Sequence, residues 1–420
     1  MTTNIQKRGR LLLPLVLGTT VIMGSIGIAS AQTEIYGQIR LSLENSRANG
    51  THPAAWKFDS NGNVINKGPR VSGMKDQGSR LGLIGQEELE AFTLIYHLEW
   101  GFNAATNDET STFNQRLGYL TLKNGYGALT VGKIENPFKQ MLQVKTVTSL
   151  SNANWNAASM SATGDLFQGS MGSINNFNSS MMFRVGHALL YTSPSWNGFN
   201  FDVAVIMSQK SDQPDYIFNK RRDVDLFTAN LNYFHDSGAY IKAGYISGNT
   251  EKPGAKAAHV WGLSVGYVTP QWGVNLYGAV GETKGLATFG VGNERSQNYW
   301  ANVRGLNLTP GGYKHTAYGV DLTAFYLIDE SLMTKVYGSI SYGNAKKKES
   351  NGLFHQNRRE ENKLNIWAVG VEHKFSQRTK VWAEYEAMTV KQSFTNTTNR
   401  YYHKQDLKNN RLLIGMRHDF

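Results

Sequence analysis

The feature that most restricts the fold is an alternation of apolar and polar side chains with a period of two residues. In the first such segment Ile35, Ile39 and Leu43 share one face, and Gln38 and Arg40 lie on the other. Similar segments of about ten residues recur along the chain, which is the length that a tilted β-strand needs to cross a membrane. The chain beyond residue 31 contains no apolar run of about 18 residues, as a transmembrane helix would require. The pattern therefore predicts membrane-crossing strands.

Short and long connections alternate between these segments. Short turns are predicted at 87–90, 124–125, 194–198, 236–238, 270–271, 328–331 and 376–378. Longer polar stretches, predicted to be loops, lie at 45–78, 103–112, 134–182, 210–222, 248–257, 283–312, 345–362 and 392–408. Short periplasmic turns and long outer loops are typical of single-chain barrels. We therefore predict an all-β fold, a closed transmembrane β-barrel of about 16 antiparallel strands.

A soluble β-sandwich is the alternative to a membrane barrel, because one face of each of its strands is also apolar. Aromatic residues with a polar group recur at the ends of the apolar faces, among them Tyr96, Trp100, Trp261 and Trp367. Such side chains favour the headgroup level of a membrane. Their placement favours the barrel over the sandwich.

The N-terminal segment has the order of a secretory signal peptide. Residues 1–10 carry cations and no acid, residues 11–28 are mostly apolar, and Ala29-Ser30-Ala31 resembles a cleavage site. We predict a cleaved signal peptide at 1–31 and a mature barrel at 32–420. The alternative is a membrane-anchoring helix, which the glycines of the apolar stretch and the well-formed cleavage site disfavour.

Charge and composition limit the classes of function. The absence of cysteine excludes disulfides, thiolate metal sites and cysteine nucleophiles. The formal net charge is +11, but the basic runs 221–222, 346–348 and 358–359 are short and adjoin acidic residues. We interpret these runs as solvated loops that contact anionic lipopolysaccharide or one another, and we expect no nucleic-acid partner.

The loop at 134–182 differs from the others because it is long, poor in charge and rich in Asn, Ser, Ala, Gly and Met. Long loops within a compact unit are usually functional or disordered. We predict that this third loop folds inward as a constriction loop that narrows the lumen. The alternative is a mobile external loop.

Several segments resemble those of the Gram-negative trimeric porins of the Neisseria and Bordetella type. The similar segments, in order, are 33–37, 79–89, 92–102, 116–133, 191–199 and 415–420. The sequence departs from the family at Lys133, where arginine is usual, and in the position of the acids at 86–88. The resemblance implies 16 strands, a homotrimer in the bacterial outer membrane and a third loop folded into each pore. It also implies that Phe420 is a barrel-assembly signal read by the insertion machinery.

Alternation directs three arginines, Arg40, Arg80 and Arg116, into the lumen. Leu81 and Leu83 are predicted to face outward around Arg80, and Leu117 and Tyr119 to face outward around Arg116. The resemblance implies that Arg80 and Arg116 belong to a basic cluster opposite the third loop. The alternative is that these arginines only pair with wall acids such as Glu99 to stabilise the barrel.

The remaining candidate pore residues flank or lie in the third loop. Strict alternation points Lys133 outward with Leu129 and Val131, although it could turn inward at the strand end; Arg184 is predicted to face inward relative to Phe183 and Val185. The loop supplies only two acids, Glu135 and Asp165, to face the basic wall. An acid-poor loop opposite a basic wall predicts a weakly anion-selective pore.

The predicted function is passive diffusion of ions and small hydrophilic solutes through a water-filled channel, without a catalyst, metal or cofactor. A substrate-specific porin for a sugar or an acidic metabolite is the first alternative, for which Trp155 and Phe167 would be the loop aromatics. The second alternative is an outer-membrane hydrolase barrel. His97 and Glu99 share an inward face, and His187 and His373 lie near strands, but the chain has no nucleophile-elbow or zinc-peptidase motif.

Overall fold

The computed structural model of the chain describes residues 32–49, 67–106, 113–142, 158–168, 184–207, 223–248, 256–287, 311–328, 331–350, 357–396 and 401–420. The predicted signal peptide at 1–31 lies outside the described residues. Neither of the helices in the described part of the chain is long and apolar enough to cross a membrane.

The described residues form a closed barrel of 16 antiparallel strands, as the alternation predicts. The strands are β1 Gln32–Asn49, β2 in two segments Lys67–Asp76 and Arg80–Glu88, β3 Thr93–Gly101, β4 Asn114–Asn124, β5 Gly127–Glu135, β6 Arg184–Thr192, β7 Phe199–Met207, β8 Val224–Phe234, β9 Ala239–Gly248, β10 Ala258–Val268, β11 Trp272–Ala287, β12 Gly311–Leu327, β13 Thr334–Ser350, β14 Asn357–Lys374, β15 Thr379–Asn396 and β16 Tyr401–Asp419. Both segments of β2 pair with the same side of β1, so they count as one strand. Each strand pairs with the next, and β1 pairs with β16 to close the barrel.

The outward face of the barrel is apolar and exposed, and the inward face is polar or covered. On β13, for example, Ile340 is 68% exposed whereas the next residue, Ser341, is 7% exposed. Trp261 and Trp367 are also exposed on this outer face. A strand with this two-sided pattern buries its polar face in the lumen and leaves its apolar face for lipid.

Closure brings the last residue of the sequence against the first strand. The backbone NH of Gly37 donates to the Phe420 carbonyl at 2.9 Å, and the Phe420 NH donates to the Gly37 carbonyl at 3.0 Å. The Phe420 ring occupies the space that a side chain at position 37 would need. Glycine at this position therefore allows the two ends of the sheet to meet closely.

The predicted loops at 45–78, 345–362 and 392–408 are wrong in extent, because much of each stretch is strand. The basic runs 346–348 and 358–359 accordingly lie on β13 and β14 rather than in loops, and the run 221–222 lies outside the described residues. Beyond the membrane both faces of a strand meet water, so the apolar alternation that marks a strand disappears. Cross-strand ion pairs remain there, such as Lys346–Glu361 at 3.4 Å.

The prediction that the third loop turns inward is confirmed for its described parts. They contain two helices, α1 Pro137–Leu142 and α2 Ala158–Gln168, and most of their side chains are buried. The helices contact the inner wall of the barrel, α1 along β7–β10 and α2 along β10–β14. The principal apolar cluster of the described residues therefore lies inside the lumen, between these helices and the wall.

Candidate functional site

Helix α1 begins with a side-chain cap and rests on glycines of the barrel wall. The Asn136 carboxamide oxygen accepts from the Phe138 NH at 2.9 Å, as an N-terminal cap does. Phe138 and Met141 are buried over Gly244 and Gly262. A Cβ at position 262 would lie 2.7 Å from the Met141 Cε and 2.9 Å from the Phe138 Cζ, so a larger residue there would displace the helix.

Helix α2 is capped by a carboxylate of the wall. Asp321 on β12 is fully buried, and it accepts from the Ala158 NH at 2.7 Å and the Ser159 NH at 3.0 Å. A carboxylate at a helix N-terminus satisfies unpaired NH groups and complements the helix dipole. Gly319 and Gly343 lie under the same end of the helix, where a side chain would meet its backbone. This docking holds α2 against one side of the pore.

The opposite side of the pore carries cations. In a barrel of 16 strands, β1 and β2 lie across from β9 and β10, where the docking regions of α1 and α2 meet. The inward cations of β15, β16, β1, β2 and β4 form what we call the basic wall: Arg40, Arg80, Arg116, Lys380 and Arg417. Lys335 adjoins this wall from β13, a strand that α2 also contacts. The inward side chains of Arg40 and Arg417 are direct cross-strand partners, and so are those of Arg417 and Lys380.

Carboxylates on the basic wall are shared between cations. Glu99 lies 3.3 Å from the Arg80 Nε and 2.5 Å from the Arg116 Nε. Glu372 likewise bridges Lys335 at 3.1 Å and Lys380 at 2.7 Å. Because one carboxylate serves two cations in each group, these two groups retain positive charge.

Glu99 also joins a chain of polar side chains that crosses the first four strands. The Tyr36 hydroxyl donates to Glu99 at 3.0 Å and lies 2.6 Å from the His97 Nε2. The Tyr119 hydroxyl lies 2.8 Å from the His97 Nδ1. The network fixes the position of the carboxylate that holds Arg80 and Arg116.

Arg116 faces the lumen for a reason that alternation misses. The predicted outward orientation of Leu117 and Tyr119 is wrong: Leu117 is a direct partner of Glu99 and is 8% exposed, and Tyr119 bonds His97 inside the barrel. The register between β3 and β4 shifts between Glu99 and Trp100, so β4 has an extra residue there. A β-bulge redirects side chains in this way, and Arg116 turns inward to Glu99.

The two other predicted cations lie near the start of the third loop. Lys133 donates from its Nζ to the Gln115 backbone carbonyl at 2.7 Å, and its cross-strand partner is Gly118. Arg184 is the cross-strand partner of Glu135 and lies close enough to interact electrostatically with Arg116 and Glu99. Arg184 therefore adjoins the basic wall, whereas Lys133 is held at the backbone of β4.

The two acidic side chains of the third loop contact basic side chains close to the loop itself. Glu135 lies 3.9 Å from the Lys139 Nζ on α1. Asp165 on α2 lies 3.4 Å from the Nε2 of His315, which belongs to the wall beneath that helix. Asp165 thus contacts the wall that carries α2, on the side away from β1 and β2.

Two of the aromatic and histidine candidates, Phe167 and His373, make structural contacts. Phe167 is 1% exposed within the apolar cluster, and Trp155 lies outside the described residues. His187 has a φ of 53° and an exposed side chain, and His373 lies 2.9 Å from the Thr334 hydroxyl. In the described part of the chain no three His, Asp or Glu residues are arranged to hold a metal ion.

Sequence reasoning missed Lys335, Lys380, Glu372 and the role of Arg417. Lys335, Glu372 and Lys380 lie within a few positions of short turns, and Arg417 lies near the end of β16, where the apolar phase is hard to assign. Their inward parity with the buried residues Tyr337, Trp382 and Leu413 could have identified them.

Comparisons with known proteins agree with this architecture. A search of curated protein sequences finds no match. The structure is similar to an anion-selective porin from Comamonas acidovorans, with a TM-score of 0.61, 15% identity, and coverage of 93% of this chain and 100% of that one. It is also similar to the trimer form of OmpT, an outer membrane protein of Vibrio cholerae, with a TM-score of 0.56, 13% identity, and coverage of 93% and 100%.

A third similar structure is the outer membrane channel DcaP of Acinetobacter baumannii, with a TM-score of 0.54, 11% identity, and coverage of 94% and 99%. Identities this low show a shared fold alone. The sequence match to a family is more extensive, because the model described as Gram-negative porin matches residues 18–393. The chain therefore belongs to the Gram-negative porin family.

Proposed function

We propose that the protein forms a water-filled channel in the outer membrane for passive diffusion of ions and small hydrophilic solutes, with a weak preference for anions. The observation that carries the proposal is the basic wall opposite the docked third loop. Fixed cations on a low-dielectric wall concentrate anions in the adjacent water and repel cations. The preference is weak because Glu99 and Glu372 neutralise part of this charge.

A salt gradient across a planar bilayer tests whether the protein forms a channel and whether that channel prefers anions or cations. The purified protein is expected to insert with discrete conductance steps and a zero-current potential of anionic sign. The preference should fall as ionic strength rises, because salt screens the wall charges. A potential of cationic sign would contradict the anion preference, and the absence of steps would contradict the channel.

We infer a homotrimer from the family and from the similar structure of OmpT in its trimer form. The same bilayer recordings test the inference, because each insertion should close in three equal substeps. Insertions with a single closing level would indicate a monomer.

A substrate-specific porin and a hydrolase barrel are less well supported. Phe167 packs in the apolar cluster, so it offers no ring to a sugar passing through the pore. His97 bonds the hydroxyls of Tyr36 and Tyr119, an arrangement that orders a wall rather than activates a nucleophile. Diffusion through a pore needs no catalyst, and we infer that the protein is not an enzyme.

We propose that Phe420 also acts as a signal for the machinery that inserts the barrel. The Phe420→Ala variant keeps the backbone bonds to Gly37, so it is expected to refold in detergent with nearly normal yield. In cells the amount of assembled barrel should fall several-fold. Heat-modifiable migration on gels measures both quantities; an equal loss in cells and in detergent would indicate a packing role only.

A further inference from the structure

An inward cation, Lys242, lies on β9, across the lumen from the basic wall. Its outward neighbour Ile241 is 47% exposed, whereas Lys242 is 9% exposed. On the inward face Lys242 is two positions from Gly244, which lies under Met141 of α1. It is on the side of Gly244 that leads to the short turn at 236–238. Lys242 therefore lines the pore next to α1, on the short-turn side of that helix.

The Lys242 ammonium has aromatic neighbours but no ion pair. Its Nζ lies 4.8 Å from the centre of the Phe234 ring and 6.0 Å from that of the Tyr240 ring. Within the part of the chain that the structure describes, no carboxylate lies within 4.0 Å of this ammonium. Burying an ammonium is costly unless an anion pairs with it. Cations that face a lumen at membrane depth commonly mark the path of a solute.

Neutral polar side chains surround this ammonium on the same wall. The cross-strand partners of Lys242 are Asn232 on β8 and Ser264 on β10, and Asn200 on β7 is the partner of Asn232. Asn230 is two positions from Asn232 on the same face of β8. We call these five residues the lysine–amide site: Asn200, Asn230, Asn232, Lys242 and Ser264.

Two amides of the lysine–amide site have unused hydrogen-bonding groups. Asn230 is 4% exposed, and neither its carboxamide oxygen nor its carboxamide nitrogen has a partner among the described residues. Asn200 is 6% exposed, and its carboxamide oxygen also lacks a partner there. Leaving a buried polar group without a partner costs free energy. The site therefore combines one uncompensated positive charge with unused donors and acceptors.

The carboxylate that acts on Lys242 electrostatically, Asp202 on β7, is bonded elsewhere. It accepts from the Thr192 hydroxyl at 2.9 Å and from the Asn232 carboxamide nitrogen at 3.0 Å. These bonds hold Asp202 and Asn232 in place. The Asp202 charge weakens the attraction of the site for an anion, but it forms no ion pair with Lys242 that an anion would have to break.

We propose that the lysine–amide site binds small carboxylates that also carry hydroxyl groups, such as sugar acids, as they pass through the pore. The ammonium pairs with the carboxylate, and the amides exchange hydrogen bonds with the hydroxyl groups. One ammonium balances the single charge of a carboxylate, whereas a phosphate monoester carries about −1.5 to −2 charges at neutral pH. The inference rests on the proposed channel and names a class of solute for it.

Current noise in planar bilayers tests the site with gluconate as the probe. Gluconate is added to a fixed concentration of potassium chloride at neutral pH. Reversible binding should produce excess noise that saturates with gluconate concentration, and the saturation gives a dissociation constant. Acetate lacks the hydroxyl groups and glucose lacks the charge, so both should bind more weakly than gluconate. Equal affinity for gluconate and acetate would overturn the proposed class of solute.

Substitutions of Lys242 and Asp202 should shift the dissociation constant in opposite directions. Lys242→Gln should raise the constant for gluconate about fivefold, which corresponds to about 1 kcal/mol, whereas Lys242→Arg keeps the charge and should retain most of the binding. Asp202→Asn should lower the constant, since it removes a negative charge that repels the carboxylate. A barrel that was merely destabilised would not bind more tightly, so this variant separates recognition from folding.

The matched control is Lys123→Gln, which removes an exposed lysine near the short-turn end of β4. It should leave the dissociation constant nearly unchanged. An unchanged constant in Lys242→Gln, or equal weakening in Lys123→Gln, would overturn the inference. Normal conductance steps in chloride without any gluconate binding would overturn this inference alone, whereas the absence of steps would contradict the proposed channel itself.

Discussion

Replacing Arg80 and Arg116 together by glutamine is expected to abolish the anion preference or reverse it. The double variant removes both cations that share Glu99 and leaves its carboxylate on the wall. A unit charge about 4 Å from a passing ion contributes about 1 kcal/mol in water. That free energy corresponds to about a fivefold decrease in anion permeability for each charge removed. Cation permeability changes in the opposite sense, so the permeability ratio changes by more than this factor. The zero-current potential under a salt gradient measures the ratio directly.

The converse variant, Glu99→Gln, should strengthen the anion preference, since it removes the shared carboxylate and keeps both arginines. A matched control is Lys391→Gln/Lys404→Gln, which removes two exposed cations from the outward face. The control should leave the potential unchanged. If the Arg80 and Arg116 variant kept the potential of the natural protein, while Glu99→Gln also had no effect, the basic wall would not determine selectivity.

Gly319→Val is expected to produce a smaller and noisier channel by pushing α2 away from the wall. A Cβ at position 319 would lie 2.5 Å from the Ser159 Cα and 2.9 Å from the Ala158 carbonyl carbon. Both are backbone atoms of the helix, so no side-chain rotation relieves the contact. Overpacking of this kind costs about 1–3 kcal/mol. Because β12 is held by strands on both sides, the helix is the part that moves, and it moves into the lumen.

Single-channel conductance and open-channel noise provide the measurement. Gly338→Val is the matched control, since it makes the same change on the outward face of β13, where the nearest atom is 3.4 Å from the new Cβ. Asp321→Ala tests the docking without adding volume: loss of the cap costs about 0.5–2 kcal/mol, and it should increase noise. If both Gly319→Val and Asp321→Ala had the conductance and noise of the natural protein, that result would contradict a role for α2 docking in the pore.

The local pattern of apolar and polar residues in the sequence was sufficient to predict the barrel. Alternation has a period of two residues, so a short segment reveals both the strand and its outward face. The inward orientation of Arg40 and Arg80 follows from this rule. Strand ends such as 345–350 were missed because outside the membrane no apolar face exists to mark them.

The tertiary structure alone decided which side chains meet. Arg116 reaches Glu99 through a register shift between β3 and β4, which depends on the pairing of two strands and not on either sequence segment. Asp321 caps a helix more than 160 positions earlier in the chain. The pairing of four strands also aligns one exposed cation from each, Lys284, Lys314, Lys348 and Arg359, on the outward face. The sequence by itself determined the alternating faces, since these arise within a strand. Register and closure, which arise between strands, decided the pore wall, the docking of the third loop and the outer surface.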